Sequence, residues 1–74
     1  MPIVEIHLAR RDQPTSREQK AEIAQGITEL LHRVLDKRPE SVVVLFDERS
    51  PDDWAEGGVL VTELRQRRGQ PPGG

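Results

Sequence analysis

Cysteine and tyrosine are absent from the chain, and tryptophan, phenylalanine and methionine each occur once in 74 residues. Without cysteine there is neither a disulfide nor a thiolate metal site, and two histidines alone do not predict structural zinc. No structural metal is expected. An aromatic share of 3% leaves few stacking platforms, and the eleven basic and thirteen acidic residues are interleaved rather than segregated, so no nucleic-acid partner is expected either. The longest apolar run, Val42 to Phe46, is far short of a membrane span. Met1 to Leu8 lacks the basic opening and apolar centre of a signal peptide, so the expected location is the cytoplasm, with no membrane partner.

A chain of this length hides only about 60% of the surface its unfolded form exposes, so a single small domain needs a staple. With disulfides and metal set aside, association with copies of itself is the staple that remains.

The N-terminal stretch organises the rest. Val4, Ile6 and Leu8 alternate with Glu5 and His7, the period of a half-buried strand. Before it stands Pro2. Removal of Met1, expected before so small a second residue, leaves the chain beginning with a secondary amine held in the pyrrolidine ring. An α-amino group titrates near ~7.7–8.0 in model peptides, so modest burial or a nearby cation leaves much of it neutral at pH 7. A rigid neutral amine at a strand end can move protons. Pro2 serving only methionine processing is the plain alternative.

A polar connection, Ala9 to Pro14, leads to a helix start at which Thr15 has Glu18, and Ser16 has Gln19, three residues on, so either hydroxyl can close a capping box. Ala21, Ile23, Ala24, Ile27, Leu30, Leu31, Val34 and Leu35 then recur at helical steps and predict one long amphipathic helix. Gly26 inside it costs about 1 kcal/mol against alanine, a position suited to close packing against another helix or chain, or simply tolerated. Pro39 stops the helix.

Ser41 to Asp47 is β-branched and apolar on consecutive positions, which predicts a strand covered on both faces. Strand, helix and strand make a βαβ unit with its two strands parallel. The expected class is thus α/β (α+β). Two strands and one helix cannot close a core, so copies of the chain are expected to complete the sheets. A polar turn, Glu48 to Glu56, carries Trp54. Gly57-Gly58 opens a short strand, Val59 to Val61, expected as a hairpin arm. Arg65, Arg67 and Arg68 lie in a basic stretch read as a solvated run or as steering for anionic ligands. The domain is expected to occupy residues 1–68, with 69–74 a flexible tail.

Met-Pro-Ile-Val-Glu-Ile-His-Leu at the start, the capped Ser-Arg-Glu-Gln-Lys, the Ser-Val-Val-Val-Leu-Phe-Asp-Glu strand and the Asp-Asp-Trp-Ala-Glu-Gly-Gly turn together resemble the 4-oxalocrotonate tautomerase family, in order and spacing, from Pro2 to about Arg65. The resemblance implies a β-α-β protomer with a short C-terminal hairpin, assembled as a homohexamer of three dimers. It implies a cofactor-independent isomerase in which the N-terminal proline takes a proton from a 2-hydroxydienoate and returns it to carbon, giving the 2-oxo isomer. The substrate partner is then a small enol or keto carboxylic acid.

The resemblance also implies an arginine in the segment after the first strand, supplied by a neighbouring subunit, whose guanidinium fork grips a substrate carboxylate. Here the segment is longer, with Pro14 and Thr15 as extra residues, and the equivalent is Arg11 or Arg10, with Arg11 preferred on spacing. A second arginine, in the second strand, is replaced here by Val43, which leaves Arg49 as a substitute or the substrate different. Trp54 falls where the family places an aromatic residue lining the site, whose apolar surroundings disfavour the charged amine. The alternative from another class is a catalytically silent oligomeric module of the same scaffold that binds a small anion, a reading that Val43 favours. A half-ferredoxin-like regulatory domain ranks last, since no second βαβ unit is present.

Overall fold

The computed structural model describes residues 1–68; the tail expected over 69–74 lies outside them. The elements are strand β1 (Ile3–Ala9), helix α1 (Arg17–Leu35), a 3₁₀ turn at Pro39–Ser41, strand β2 (Val43–Arg49), a second 3₁₀ turn at Pro51–Asp53, strands β3 (Ala55–Glu56) and β4 (Val59–Leu60), and helix α2 (Val61–Arg67). They fall into two compact units: Met1–Ile6 with Ser16–Asp47, and His7–Thr15 with the chain from Glu48 onward.

In the first unit, Val4 and Ile6 are half-buried and Glu5 is exposed, so the alternation read from the sequence holds. β1 pairs with β2. At the first residues of the pair, the Val43 N–H donates to the Pro2 carbonyl at 2.9 Å. In the second unit, the Arg10 N–H donates to the Arg49 carbonyl at 2.7 Å. Start meets start and end meets end, so the strands are parallel, as a βαβ connection requires.

α1 begins where the capping box places it, and Ser16 is the cap. Its hydroxyl accepts from the Gln19 N–H at 3.1 Å, and the Gln19 side chain accepts from the Ser16 N–H at 2.9 Å. Asp36, in the left-handed region with φ 56°, donates to the His32 carbonyl, and the following Lys37 N–H reaches back to Leu31 at 3.4 Å. That six-to-one bond satisfies carbonyls the last turn would otherwise leave orphaned.

β2 starts two residues later than the apolar run suggested and ends two residues later, at Arg49. The Ser41 and Val42 N–H groups are spent on the 3₁₀ turn, donating to Arg38 and Pro39 at 2.9 and 3.2 Å, so Val43 is the first residue free to join the ladder. Leu45 remains 49% exposed within the single chain, so the expected cover on both faces is not supplied by the chain itself.

In the second unit, β3 and β4 form the expected short hairpin, with Ala55 opposite Leu60 and Glu56 opposite Val59. Gly57 and Gly58 take φ of 61° and 82°. Two consecutive positive φ values are the requirement of a type I′ turn, whose twist matches that of the strands it joins. Val61, read from the sequence as the end of a strand, instead opens α2, and the basic stretch after it is helical. The Val61 N–H is drawn to the Trp54 carbonyl at 2.7 Å, which turns the chain, and Glu63 and Arg67 pair at 2.7 Å one helical turn apart.

Val61 is the buried hydrophobic residue among the described ones, and none of them has a fully buried large side chain. Ile3, Ile23, Leu30, Val34, Leu35, Leu45 and Leu60 are all exposed. A Cβ built on Gly26 meets nothing in its own chain. No helix among the described residues is long and apolar enough to cross a membrane.

Candidate active site

Pro2 precedes β1, half-buried, with its carbonyl held by the Val43 N–H and Met1 86% exposed before it. The backbone of Pro2 is therefore fixed on its carbonyl side by the sheet, while its nitrogen faces the removable end of the chain. Removal of Met1 would leave that nitrogen a secondary amine of restricted orientation, since the ring locks φ. Val43 is the residue paired to it. The position that the resemblance gives to a second arginine thus holds a half-buried apolar side chain.

The second unit carries the other expected residues. Arg10 and Arg11, both exposed, line one depression of about 220 Å³ together with Asp12, Ser50, Asp52 and Thr62. Asp52 is occupied there: it accepts from the Thr62 hydroxyl at 2.5 Å, while its own N–H caps back to Ser50 at 3.1 Å. Two arginines and two aspartates, one of them engaged, thus meet in this depression.

Trp54 lines a separate depression of about 260 Å³ with Ala9, Glu56, Val61, Leu64, Arg65 and Arg68. Trp54 is half-buried there. Arg49, at the end of β2, is exposed, and its carbonyl accepts from the Arg10 N–H.

Two residues carry more than the sequence reading gave them. Arg65 is half-buried, not solvated, and its Nη1 donates to the Arg10 carbonyl at 3.0 Å. Val61, Leu64, Arg65 and Arg68 fall at steps of three, one and three, the spacing of one helical face, and all four meet at the Trp54 depression. That spacing was the available signal. Glu48 is the other: its carboxylate accepts from the Thr15 N–H at 3.2 and 3.0 Å and from the Thr15 hydroxyl at 3.1 Å. Its partner lies 33 residues away, beyond the reach of any local pattern. No group of three or more metal-ligating side chains exists among the described residues.

Comparison with known proteins identifies the family. The family model for tautomerase enzymes matches residues 2–64. A probable tautomerase, K2, of Dickeya dadantii is 40% identical over 67 residues, which cover 90% of this chain and 97% of that protein. Among solved structures, DmpI from Helicobacter pylori matches with a TM-score of 0.76 at 32% identity, over 85% of this chain and all of the other. A heterohexameric 4-oxalocrotonate tautomerase from Chloroflexus aurantiacus matches with a TM-score of 0.71 at 29% identity, over 88% of this chain and all of its own. With a family match that opens on Pro2 and runs through both strands, the long helix and the Gly-Gly hairpin, the chain belongs to the tautomerase enzymes of the 4-oxalocrotonate tautomerase family.

Proposed function

We propose that the chain is a cofactor-independent enol/keto tautomerase acting on a 2-hydroxydienoate or a similar enol acid, with the Pro2 amine as general base. The neutral amine accepts the proton of the 2-hydroxyl; the resulting dienolate is reprotonated on carbon by the same ammonium, and the product is the 2-oxo isomer. Nothing is oxidised or reduced, and the amine ends as it began. The observation that carries the reading is the anchoring of Pro2 by Val43, because a base works only if its position is held while the proton moves.

Arg11 or Arg10 holds the substrate carboxylate and draws charge as the dienolate forms, in a site completed by a neighbouring copy of the chain. Trp54 keeps the surroundings apolar, which favours the neutral amine. Assembly as a homohexamer, a trimer of dimers, accounts for the exposed leucines, isoleucines and valines, which a stable monomer of this size would not leave in water.

The half-buried Val43 favours a second reading, a silent module that binds a small anion. Enol-to-keto conversion of phenylenolpyruvate and of 2-hydroxymuconate, followed by ultraviolet absorbance, separates the two. Intact mass first establishes whether Met1 has been removed. The reading expects turnover by the processed chain that is lost in Pro2→Ala and in a form retaining Met1. Equal rates in all three forms refute the base, and saturable binding without turnover supports the silent module.

A further inference from the structure

The segment that carries Arg10 and Arg11 is tied down at both ends, and each tie comes from far along the chain. At its start, the Arg10 N–H donates to the Arg49 carbonyl at 2.7 Å, and the Arg10 carbonyl accepts from Arg65 Nη1 at 3.0 Å, 55 residues away. At its end, Thr15 gives both its N–H and its hydroxyl to the Glu48 carboxylate. Between the ties, Arg11, Asp12, Gln13 and Pro14 are all exposed. Thr15, Glu48 and Arg65 are half-buried.

The consequence for Arg11 follows from peptide geometry. The carbonyl of Arg10 and the N–H of Arg11 share one rigid plane. A guanidinium that holds the carbonyl fixes that plane, and with it the direction in which the Arg11 Cα leaves the strand. Pro14 and Thr15 lengthen the segment, which would let a carboxylate-gripping arginine wander. The Glu48 carboxylate captures Thr15, one of the added residues, and removes that slack. Two donors of one residue converging on a charged carboxylate hold a short exposed segment in one arrangement.

We infer that Glu48 and Arg65 are positioning residues that preorganise the Arg10–Arg11 pair for a carboxylate substrate, an inference that rests on the tautomerase reading above. Both act through the segment they hold. Their effect is on how accurately the fork meets the carboxylate, so it falls on substrate affinity and leaves the titration of the base where it is.

The test is steady-state turnover of phenylenolpyruvate across a pH series, on the assembled protein, for wild type, Glu48→Ala, Arg65→Met, Arg65→Lys, Thr15→Val and Arg11→Ala with Arg10→Ala. The expected result is a loss of about ten- to a hundredfold in kcat/KM for Glu48→Ala and Arg65→Met, carried mainly by KM, with the rising limb of the pH profile unmoved. Arg65→Lys, which retains a donor, recovers part of the loss, and Thr15→Val, which removes the hydroxyl bond alone, gives a smaller loss of the same kind. Circular dichroism keeps unfolded variants out of the comparison, and Thr15→Val and Arg65→Lys remain informative if the larger truncations do not fold. Wild-type KM in folded Arg65→Met and Glu48→Ala, beside a damaged Arg10/Arg11 double variant, overturns the clamp and leaves the tautomerase reading standing. Full activity in the double variant, or none in wild type, overturns the clamp through the reading on which it rests. A displaced pH limb overturns it as well, because the residues would then be acting on the base.

Discussion

The Val43 N–H donates to the Pro2 carbonyl across 2.9 Å, so the residue that steadies the proposed base is the same residue that occupies the place of a second arginine. Only the backbone of Val43 is needed for the first task. Its side chain takes no part in that bond.

Val43→Arg is accordingly expected to leave the fold intact, since the ladder bond does not involve the side chain, and to favour a diacid. The ratio of kcat/KM for 2-hydroxymuconate to that for phenylenolpyruvate should rise about tenfold or more, the effect of one added charge-assisted bond of about 1.5–3 kcal/mol. A cation beside an amine also disfavours its charged form, so the rising limb of the pH profile should move to lower pH. An unchanged ratio would mean that position 43 does not face the substrate.

Trp54→Ala tests the apolar wall. Removal of the indole opens further to water the depression it shares with Val61 and Leu64 and with the charged Glu56, Arg65 and Arg68. If Trp54 contributes to the dryness of the base's surroundings, the ammonium form becomes easier to reach, and the rising limb of kcat/KM should move to higher pH. Stability should fall by about 1–3 kcal/mol, less than for a fully buried tryptophan, as read by denaturant melts. A loss of stability with a stationary limb would reduce Trp54 to packing.

How much of this could be read in advance depended on how local each determinant is. β1 was legible because alternation over a few residues is sufficient for a half-buried strand, and α1 because Ser16 and Gln19 announce their own cap. The start of β2 was not, since the apolar run begins before the ladder: the 3₁₀ turn takes the N–H groups of Ser41 and Val42 first. α2 escaped notice because it is seven residues long and Leu60 offers no capping side chain. Of the residues proposed for the site, Pro2, Arg10, Arg11 and Trp54 stood out through motif order. Glu48 and Arg65 did not, because what gives them meaning is a partner 33 or 55 residues away.

The Gly57-Gly58 turn gives a stability prediction with opposite answers at adjacent positions. Gly57, at φ 61°, lies where asparagine is comfortable, so Gly57→Asn should change unfolding free energy by about 0.5 kcal/mol or less. Gly58, at φ 82°, lies further into the region that side chains avoid, and Gly58→Val should cost about 1–3 kcal/mol. The space beside both is open, so the difference is conformational rather than steric. Thermal melts of the two variants against wild type measure it, and equal melting temperatures would refute the turn assignment.

The last prediction concerns assembly, and it links stability to activity. Val34 is 65% exposed, Leu35 56% and Leu45 49%, and among the described residues Val61 alone is buried as a hydrophobic core residue. Burying those side chains against copies of the chain contributes about 25 cal/mol for each Å² removed from water, which an isolated protomer forgoes. Val34→Glu and Leu45→Glu introduce a charge whose desolvation no partner surface compensates, so each should shift sedimentation from an oligomer towards monomer. Because the proposed site takes its carboxylate-binding arginine from a neighbouring copy, turnover should fall with the oligomer fraction and recover on raising protein concentration. Pro2→Ala, by contrast, should abolish turnover with the assembly intact. A monomeric variant of full specific activity would show that each chain carries a complete site of its own.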